Sequence, residues 1–497
     1  MDLFGTAGIR GGVTDRVTTD LAVQVGRAVG QHARTADTDG ATPTGEDETR
    51  EDETPTGEDE TPTGEDETPT VVVGRDGRTT GASLAAAVEA GLTAAGARVV
   101  RVGQVPTPAL AHASRGRRGV MLTASHNPPT DNGIKLFVDG VEYGETAERE
   151  IESRVAADPD HATWDAWGTS TTADVLDDYR RDVVAYARQF GAAPPTADDS
   201  AEQAGPRSEL RVAVDCGNGM AAHATPQVLR ELGVDVVALN ANVDGHFPGR
   251  ESKPTAASLT DLRSFVADGG ADVGIGHDGD ADRIVLVDSD GELVHEDTVV
   301  AILAEAYVRE RDLSDPVVVT TPNASGRIDE RVAAAGGRTE RVALGYLHDG
   351  IAAVRANGGE VAFAAEPWKH VHTAFGGWID GVTSAAVLVR LVAEEGLGAL
   401  RAPVTERPYR KQSVPCPDEA KTTVMERLET ALPDAFPTTD AETEYGVRLT
   451  FPDESWLLVR PSGTEPYVRV YAESDDVDAL VGEAAAVVER AVDAVSA

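Results

Sequence analysis

Gly119-Val120-Met121-Leu122-Thr123-Ala124-Ser125-His126-Asn127-Pro128-Pro129 reads as a short apolar strand that runs into a polar loop and is stopped by paired prolines. The apolar run is too short for a helix, and Pro128-Pro129 bars one from continuing there. A serine delivered at the carboxyl end of a strand is where α/β folds place ligand chemistry. Working outward, the same alternation recurs. Residues 21–34 have helical apolar spacing, 71–73 a short buried-type strand, and 83–95 an alanine-rich helix. Strand-like runs follow at 98–102, 211–215, 234–239, 272–276, 284–287 and 316–320, with helical patterns between most of them. This predicts several βαβ-type domains with central sheets. From 406 on the pattern changes. Strands at 409–414, 447–451, 455–459 and 467–472, with helices at 418–432 and 477–495, suit a small α+β domain. The expected divisions are 1–160, 172–296, 297–400 and 406–497.

A chain of 497 residues is too long for one core, and its 41% apolar content is enough for several. No apolar run reaches the length of a membrane span. Residues 1–12 have neither the basic nor the apolar part of a signal peptide, and two cysteines, Cys216 and Cys416, imply neither a disulfide framework nor a zinc cluster. A cytoplasmic setting is expected. Charge is the unusual feature: 85 acidic against 44 basic residues, a net −41, with Lys135, Lys253, Lys369, Lys411 and Lys421 the only lysines. Such a surface disfavours nucleic acid and anionic membranes as partners. Its self-repulsion is relieved by salt, and the composition points to a haloarchaeal-like host with a cytoplasm of molar salt. Part of the acidity is local. The heptad Thr-Pro-Thr-Gly-Glu-Asp-Glu begins at Thr42, Thr54 and Thr61, and the stretch 35–70 has too few apolar residues to offset ordering entropy. It is expected to be a disordered surface-loop expansion.

Two further loops give the serine loop its meaning. Asp278-Gly279-Asp280-Ala281-Asp282-Arg283 follows the strand at 272–276. Alternate positions of an extended loop project together, and three carboxylates suit Mg²⁺, which prefers oxygen ligands and phosphate. A calcium loop of the EF-hand type is excluded, because its turn position holds Arg283 and its twelfth position Ser289. Arg460-Pro461-Ser462-Gly463-Thr464-Glu465-Pro466 lies between two strands; Gly463 lets backbone approach an anion, Ser462 and Thr464 offer hydroxyls, and Arg460 and Arg469 offer charge. A hydroxyl able to carry a phosphoryl group, a site for a hard cation and a phosphate cradle together point to phosphoryl transfer on a sugar phosphate.

With Phe4-Gly5-Thr6-Ala7-Gly8-Ile9-Arg10-Gly11 and Asp131-Asn132-Gly133-Ile134-Lys135 added, these loops make the chain resemble the α-D-phosphohexomutases, the family of phosphoglucomutase, phosphomannomutase and phosphoglucosamine mutase. The resemblance covers the chain outside the 35–70 insert. It implies three related α/β domains with mixed sheets and a fourth α+β domain around a central cleft. It further implies phosphoserine at Ser125, one Mg²⁺ held by Ser125, Asp278, Asp280 and Asp282, and Arg10 facing the reaction. Lys135, with His126 beside it, would assist proton transfer at the reacting oxygen, a role for which a lysine needs a depressed pKa. Arg283 would lie at the substrate, and Arg460, Ser462, Gly463, Thr464 and Arg469 would hold the distal phosphate. One loop departs from the family pattern. Where relatives carry Gly-Glu-x-Ser-Gly-His for the sugar hydroxyls, this chain reads Ala365-Glu366-Pro367-Trp368-Lys369-His370. Glu366 and His370 remain, while Trp368 and Lys369 bring bulk and charge. The sugar (glucose, mannose, glucosamine or pentose) is left open by the sequence. A Mg²⁺-dependent sugar phosphatase and a non-catalytic sugar-phosphate-binding protein are the competing readings.

Overall fold

A computed structural model describes residues 3–5, 8–36, 68–191, 210–462 and 465–496. Most of the acidic repeat (37–67), together with Thr6, Ala7, Gly463 and Thr464, lies outside the described residues. The chain divides into two compact units: Met1–Tyr179 with Asn218–Met220 and Asn242–Ser252, and Arg180–Gly217 with Ala221–Ala241 and Lys253–Ala497.

The first unit is built on one mixed sheet. Its strands are β1 (Ile9–Gly12), β2 (Thr70–Arg75), β3 (Arg98–Gln104), β4 (Arg118–Leu122), β5 (Asp131–Val138), β6 (Val141–Glu142) and β7 (Ser170–Thr172). They lie in the order β1-β5-β4-β2-β3-β7, with β6 paired to β5. β2, β3, β4 and β7 run parallel to one another, and β5 is antiparallel to both β4 and β1. The apolar runs of β2 and β4 are buried because helices cover the sheet, as parallel strands require. Two of those helices, α1 (Thr19–Ala36) and α2 (Gly81–Ala94), cross where Gly26 meets Gly91; a Cβ on Gly91 would lie 2.2 Å from the carbonyl oxygen of Val23.

Two features depart from the sequence reading. The segment bearing Lys135, absent from the strand-like runs expected above, is a strand paired on both sides, with β1 and β4. The first unit also extends past residue 160, because the short polar strand β7 pairs with β3.

The second unit carries three sheets. β8 (Arg211–Asp215), β9 (Asp235–Leu239), β10 (Val273–Gly276) and β11 (Val285–Val287) form one, in the order β11-β10-β8-β9. β12 (Pro316–Thr320), β13 (Arg338–Arg341), β14 (Glu360–Glu366) and β15 (Lys369–Val371) form the next, ordered β13-β12-β14-β15. In both, parallel strands are closed at one edge by an antiparallel one. The last sheet is wholly antiparallel, β16 (Tyr409–Pro415), β17 (Asp440–Glu442), β18 (Val447–Thr450), β19 (Trp456–Pro461) and β20 (Tyr467–Glu473), ordered β16-β20-β19-β18-β17. Helices Lys421–Ala435 and Val477–Ser496 bury Val424, Leu428, Leu432, Val481 and Val488 with it. This is the mixed α/β architecture with a carboxy-terminal α+β part that the sequence implied.

Candidate active site

Strand register assembles the first cluster. Thr123 N–H donates to the carbonyl of Gly133 just past the end of β4, and Arg10 on β1 pairs with Gly133 on β5. Gly133 is needed there: a Cβ would come within 2.5 Å of the Thr123 carbonyl oxygen and 2.6 Å of that of Ile9. Arg10, Lys135 and the Ser125 loop are thereby brought to one end of the sheet. Ser125 is buried and holds φ 51, a left-handed conformation that a non-glycine residue keeps only when its surroundings impose it. His126 Nδ1 lies 3.4 Å from Ser125 Oγ. Lys135 is buried with Nζ 3.1 Å from Glu142 Oε1, so the group beside the loop is a paired ammonium suited to holding charge on an oxygen. Arg10 Nε is buried with no hydrogen-bond partner among the described residues.

In the second unit the acidic loop leaves the carboxyl end of the parallel strand β10. Asp278, Asp280 and Asp282 are all buried, and one ligand atom from each lies within 4.8 Å of the others. Three carboxylates so close and so dry repel one another, and a hard cation is the natural neutraliser, so the donor set fits Mg²⁺. The loop is closed on itself by His277, whose Nδ1 is 2.8 Å from the Arg283 carbonyl while its Nε2 is 3.0 Å from Thr225 Oγ1. It is pressed from outside by Gly381, where a Cβ would lie 2.6 Å from the Arg283 carbonyl oxygen. Arg283 Nε lies 3.8 Å from Asp278 Oδ2 and 3.7 Å from Asp282 Oδ1.

The β14–β15 hairpin abuts this loop, because the backbones of Arg283 and Lys369 form a bridge. Glu366 is engaged at both oxygens: Gly345 N–H donates to Oε1 (2.7 Å) and Lys369 Nζ lies 3.3 Å from Oε2. Trp368, at φ 70, packs against the apolar core of the neighbouring sheet around Leu259, Leu262 and Val285. Part of the ring's bulk is thus taken up by that core. His370 points to the other face of the hairpin from Lys369 and is buried, with Nδ1 2.9 Å from Ser384 Oγ; it supports the hairpin from within. Ser384 Oγ also meets His372 Nε2 at 2.9 Å, and His372 Nδ1 lies 2.5 Å from Tyr307 Oη.

Burial pushes the His370 pKa down to about 3, and burial with the adjacent His370 holds His372 well below the imidazole range. A folded-state pKa below the unfolded 6.5 means stability is present above pH 6.5 and is lost as pH falls towards 3. Asp297, raised to about 8 by burial, has the opposite sign, since its cost grows as pH rises from about 4 to 8. The isolating comparison is therefore between wild type and His370→Asn in urea unfolding at pH 7, 6 and 5. Wild type is expected to lose stability relative to the variant by about 1.4 kcal/mol per pH unit below 6.5. Parallel pH dependences would contradict a buried neutral His370.

The phosphate-type loop joins β19 to β20, where Arg460 pairs with Arg469. Lys421 Nζ donates to the carbonyls of Ser462 (2.6 Å) and Glu465 (2.7 Å), holding the loop at both ends. Arg460 Nη2 donates to Tyr471 Oη at 3.1 Å, and Arg469 is ion-paired to Glu465. Arg460 Nε and Ser462 Oγ are buried without a hydrogen-bond partner among the described residues, as expected of groups awaiting an anion. Gly463 and Thr464 lie outside the described residues. The sequence reading did not single out Lys421, Gly381 or His277; Lys421 and Gly381 act on loops distant in sequence, and His277, though it adjoins the acidic loop, is tied to Thr225 far away in the chain.

Family models for phosphoglucomutase/phosphomannomutase match residues 60–161 (α/β/α domain I), 186–291 (α/β/α domain II) and 413–490 (the C-terminal domain). The chain belongs to the α-D-phosphohexomutase family. Among phosphohexomutase relatives it is 38% identical to a phosphopentomutase of Thermococcus kodakarensis and 39% to a probable phosphoglucosamine mutase of Methanopyrus kandleri; each match covers 95% of this chain and 94% of the relative. In fold it resembles a phosphoglucomutase/phosphomannomutase family protein of Burkholderia thailandensis, with a TM-score of 0.78 at 24% identity over 99% of this chain and 97% of that one. Family membership makes it a phosphosugar mutase, an isomerase. No helix among the described residues is long and apolar enough to cross a membrane.

Proposed function

We propose that this mutase interconverts the 1- and 6-phosphates of a hexose through phospho-Ser125 and a bisphosphorylated sugar. The free hydroxyl of the sugar monophosphate attacks phosphorus on Ser125, the Ser125 oxygen leaves, and the resulting bisphosphate turns end for end. The Ser125 hydroxyl then attacks the other phosphoryl group and releases the isomeric monophosphate. The observation that carries the reading is the buried Asp278, Asp280 and Asp282 triad, because it supplies a cation site in a family whose chemistry is phosphoryl transfer. These carboxylates would hold Mg²⁺, which when bound neutralises charge on a transferring phosphoryl group. The paired ammonium of Lys135 holds charge at the reacting oxygen, and His126 is placed to exchange a proton with Ser125 Oγ. Arg460, Ser462, Gly463, Thr464 and Arg469 would retain the distal phosphate, and Arg10 and Arg283 would add positive charge at the substrate. Intact-mass measurement tests this: the protein incubated with a hexose 1,6-bisphosphate should gain one phosphate that maps to Ser125 and lose it to a sugar monophosphate. A phosphate that maps elsewhere would contradict the reading.

Pentose phosphate is the second substrate reading, favoured by the similarity to the Thermococcus phosphopentomutase. The hairpin bears on the choice. Lys369 Nζ is paired with Glu366, so the carboxylate that would attract the ammonium of an amino sugar is already occupied, while the pair can still meet neutral hydroxyls. Lys369→Gly is expected to raise kcat/KM for glucosamine phosphate relative to glucose and ribose phosphates by about tenfold. A uniform loss across the panel would reassign Lys369 to phosphate binding.

A further inference from the structure

Ser125 keeps a left-handed backbone in a loop that has no glycine between Thr123 and Thr130, so something outside the loop must impose it. The chain supplies it from the end of β2. Arg78, wholly buried, commits all five N–H groups: Nε to Asp76 Oδ2 (3.0 Å), Nη1 to the carbonyls of Pro128 (2.6 Å) and Asp131 (2.8 Å), and Nη2 to those of Ser125 (2.9 Å) and Asn127 (2.8 Å). Asp76 is fixed in turn, accepting from Arg78 N–H at Oδ1 (3.0 Å) and from Thr123 Oγ1 at Oδ2 (2.8 Å). Thr123 Oγ1 then accepts the N–H of Ser125 itself at 2.9 Å. Asn242–Ser252 completes the enclosure: Phe247 lies 5.2 Å beneath the guanidinium and Ser252 Oγ donates to the Asn127 carbonyl.

We infer that Asp76, Arg78 and Thr123 are positioning residues that aim the Ser125 hydroxyl for phosphoryl transfer, an inference that rests on the mutase reading above. A buried ion pair is rarely retained for stability alone, because desolvation cancels much of its attraction. Here four of the five guanidinium N–H groups are spent on carbonyls between Ser125 and Asp131, and Thr123 Oγ1 takes the N–H of Ser125 itself. The guanidinium fork fits four carbonyls in a way a lysine ammonium cannot. Misplacing a reacting atom by about 1 Å can cost about 100-fold in rate, which gives such a device its value.

The test is a pair of substitutions at Thr123, whose side chain is buried. Thr123→Val keeps the volume and removes the hydroxyl, and Thr123→Ser keeps the hydroxyl and removes a methyl. Positioning predicts that the valine variant loses about 10- to 100-fold in kcat with KM within about threefold, and phosphorylates Ser125 slowly from sugar bisphosphate. The serine variant should stay within about threefold of wild type. A packing role predicts the reverse order, since serine leaves the cavity. Arg78→Lys, which keeps the charge, should behave as the valine variant does. The inference is overturned if folded Thr123→Val, checked by its unfolding midpoint, turns over at the wild-type rate, or if the serine variant is the slower. Wild type that never carries phosphate on Ser125 would instead overturn the mutase reading and the positioning role together, so the two failures are distinguishable.

Discussion

Ser125→Ala should abolish steady turnover, leaving less than about one part in ten thousand of wild-type kcat. The expectation follows from how the serine is held. Its loop ends β4, its N–H and carbonyl are tied to Thr123 and Arg78, and its Oγ is the one beside His126. Thr123 Oγ1 is engaged with Asp76 and Ser125 N–H and cannot take its place without breaking both contacts. Alanine is accepted sterically, so the variant should fold with an unchanged unfolding midpoint and still bind sugar bisphosphate. Turnover near wild type in a folded Ser125→Ala protein would falsify the phosphoserine mechanism.

Asp280→Asn should cost about 10²–10⁴-fold in kcat, and it offers a second, independent readout. Without a cation, three buried carboxylates within a few ångströms of one another destabilise the second unit. Neutralising one removes part of that repulsion, so in chelator the variant should unfold at higher denaturant than wild type. Adding Mg²⁺ should reverse the order. Metal that binds only the folded state stabilises by about 2.7 kcal/mol at a hundredfold excess over Kd, and wild type should gain it more fully. Thermal shifts with and without Mg²⁺, read beside activity, check both. An acidic loop that merely faces solvent would show neither the crossover in stability nor the loss of rate.

Much of this arrangement was legible in the residues, and the exceptions share a cause. The acidic loop, the serine loop and the Arg460–Pro466 loop each declared their chemistry within six or seven consecutive residues, flanked by apolar strand signals. β8 and β12 fell where the pattern put them, because their runs are buried on both faces. β5 is missing from the strand-like runs read in the sequence, since Asp131-Asn132-Gly133 breaks the apolar pattern; its glycine is there for close backbone approach between two neighbouring strands. Arg78 drew no attention in the sequence, because its carbonyl partners lie 47 to 53 residues away. Lys421 holds a loop more than forty residues downstream. Trp368 reads as bulk in a pocket until the adjoining core that receives it is seen. Local patterns reveal what a loop can do, whereas the residues that fix its shape are set by tertiary contact.

Phosphorus NMR on the wild-type protein in high salt, with Mg²⁺ and a hexose 1-phosphate, tests the central claim most directly. The account predicts that the 1-phosphate resonance falls while the 6-phosphate resonance grows by the same amount, with no inorganic phosphate. Accumulating inorganic phosphate would make the protein a phosphatase, and an unchanged spectrum across hexose and pentose phosphates would make it a binding protein; either result contradicts the account.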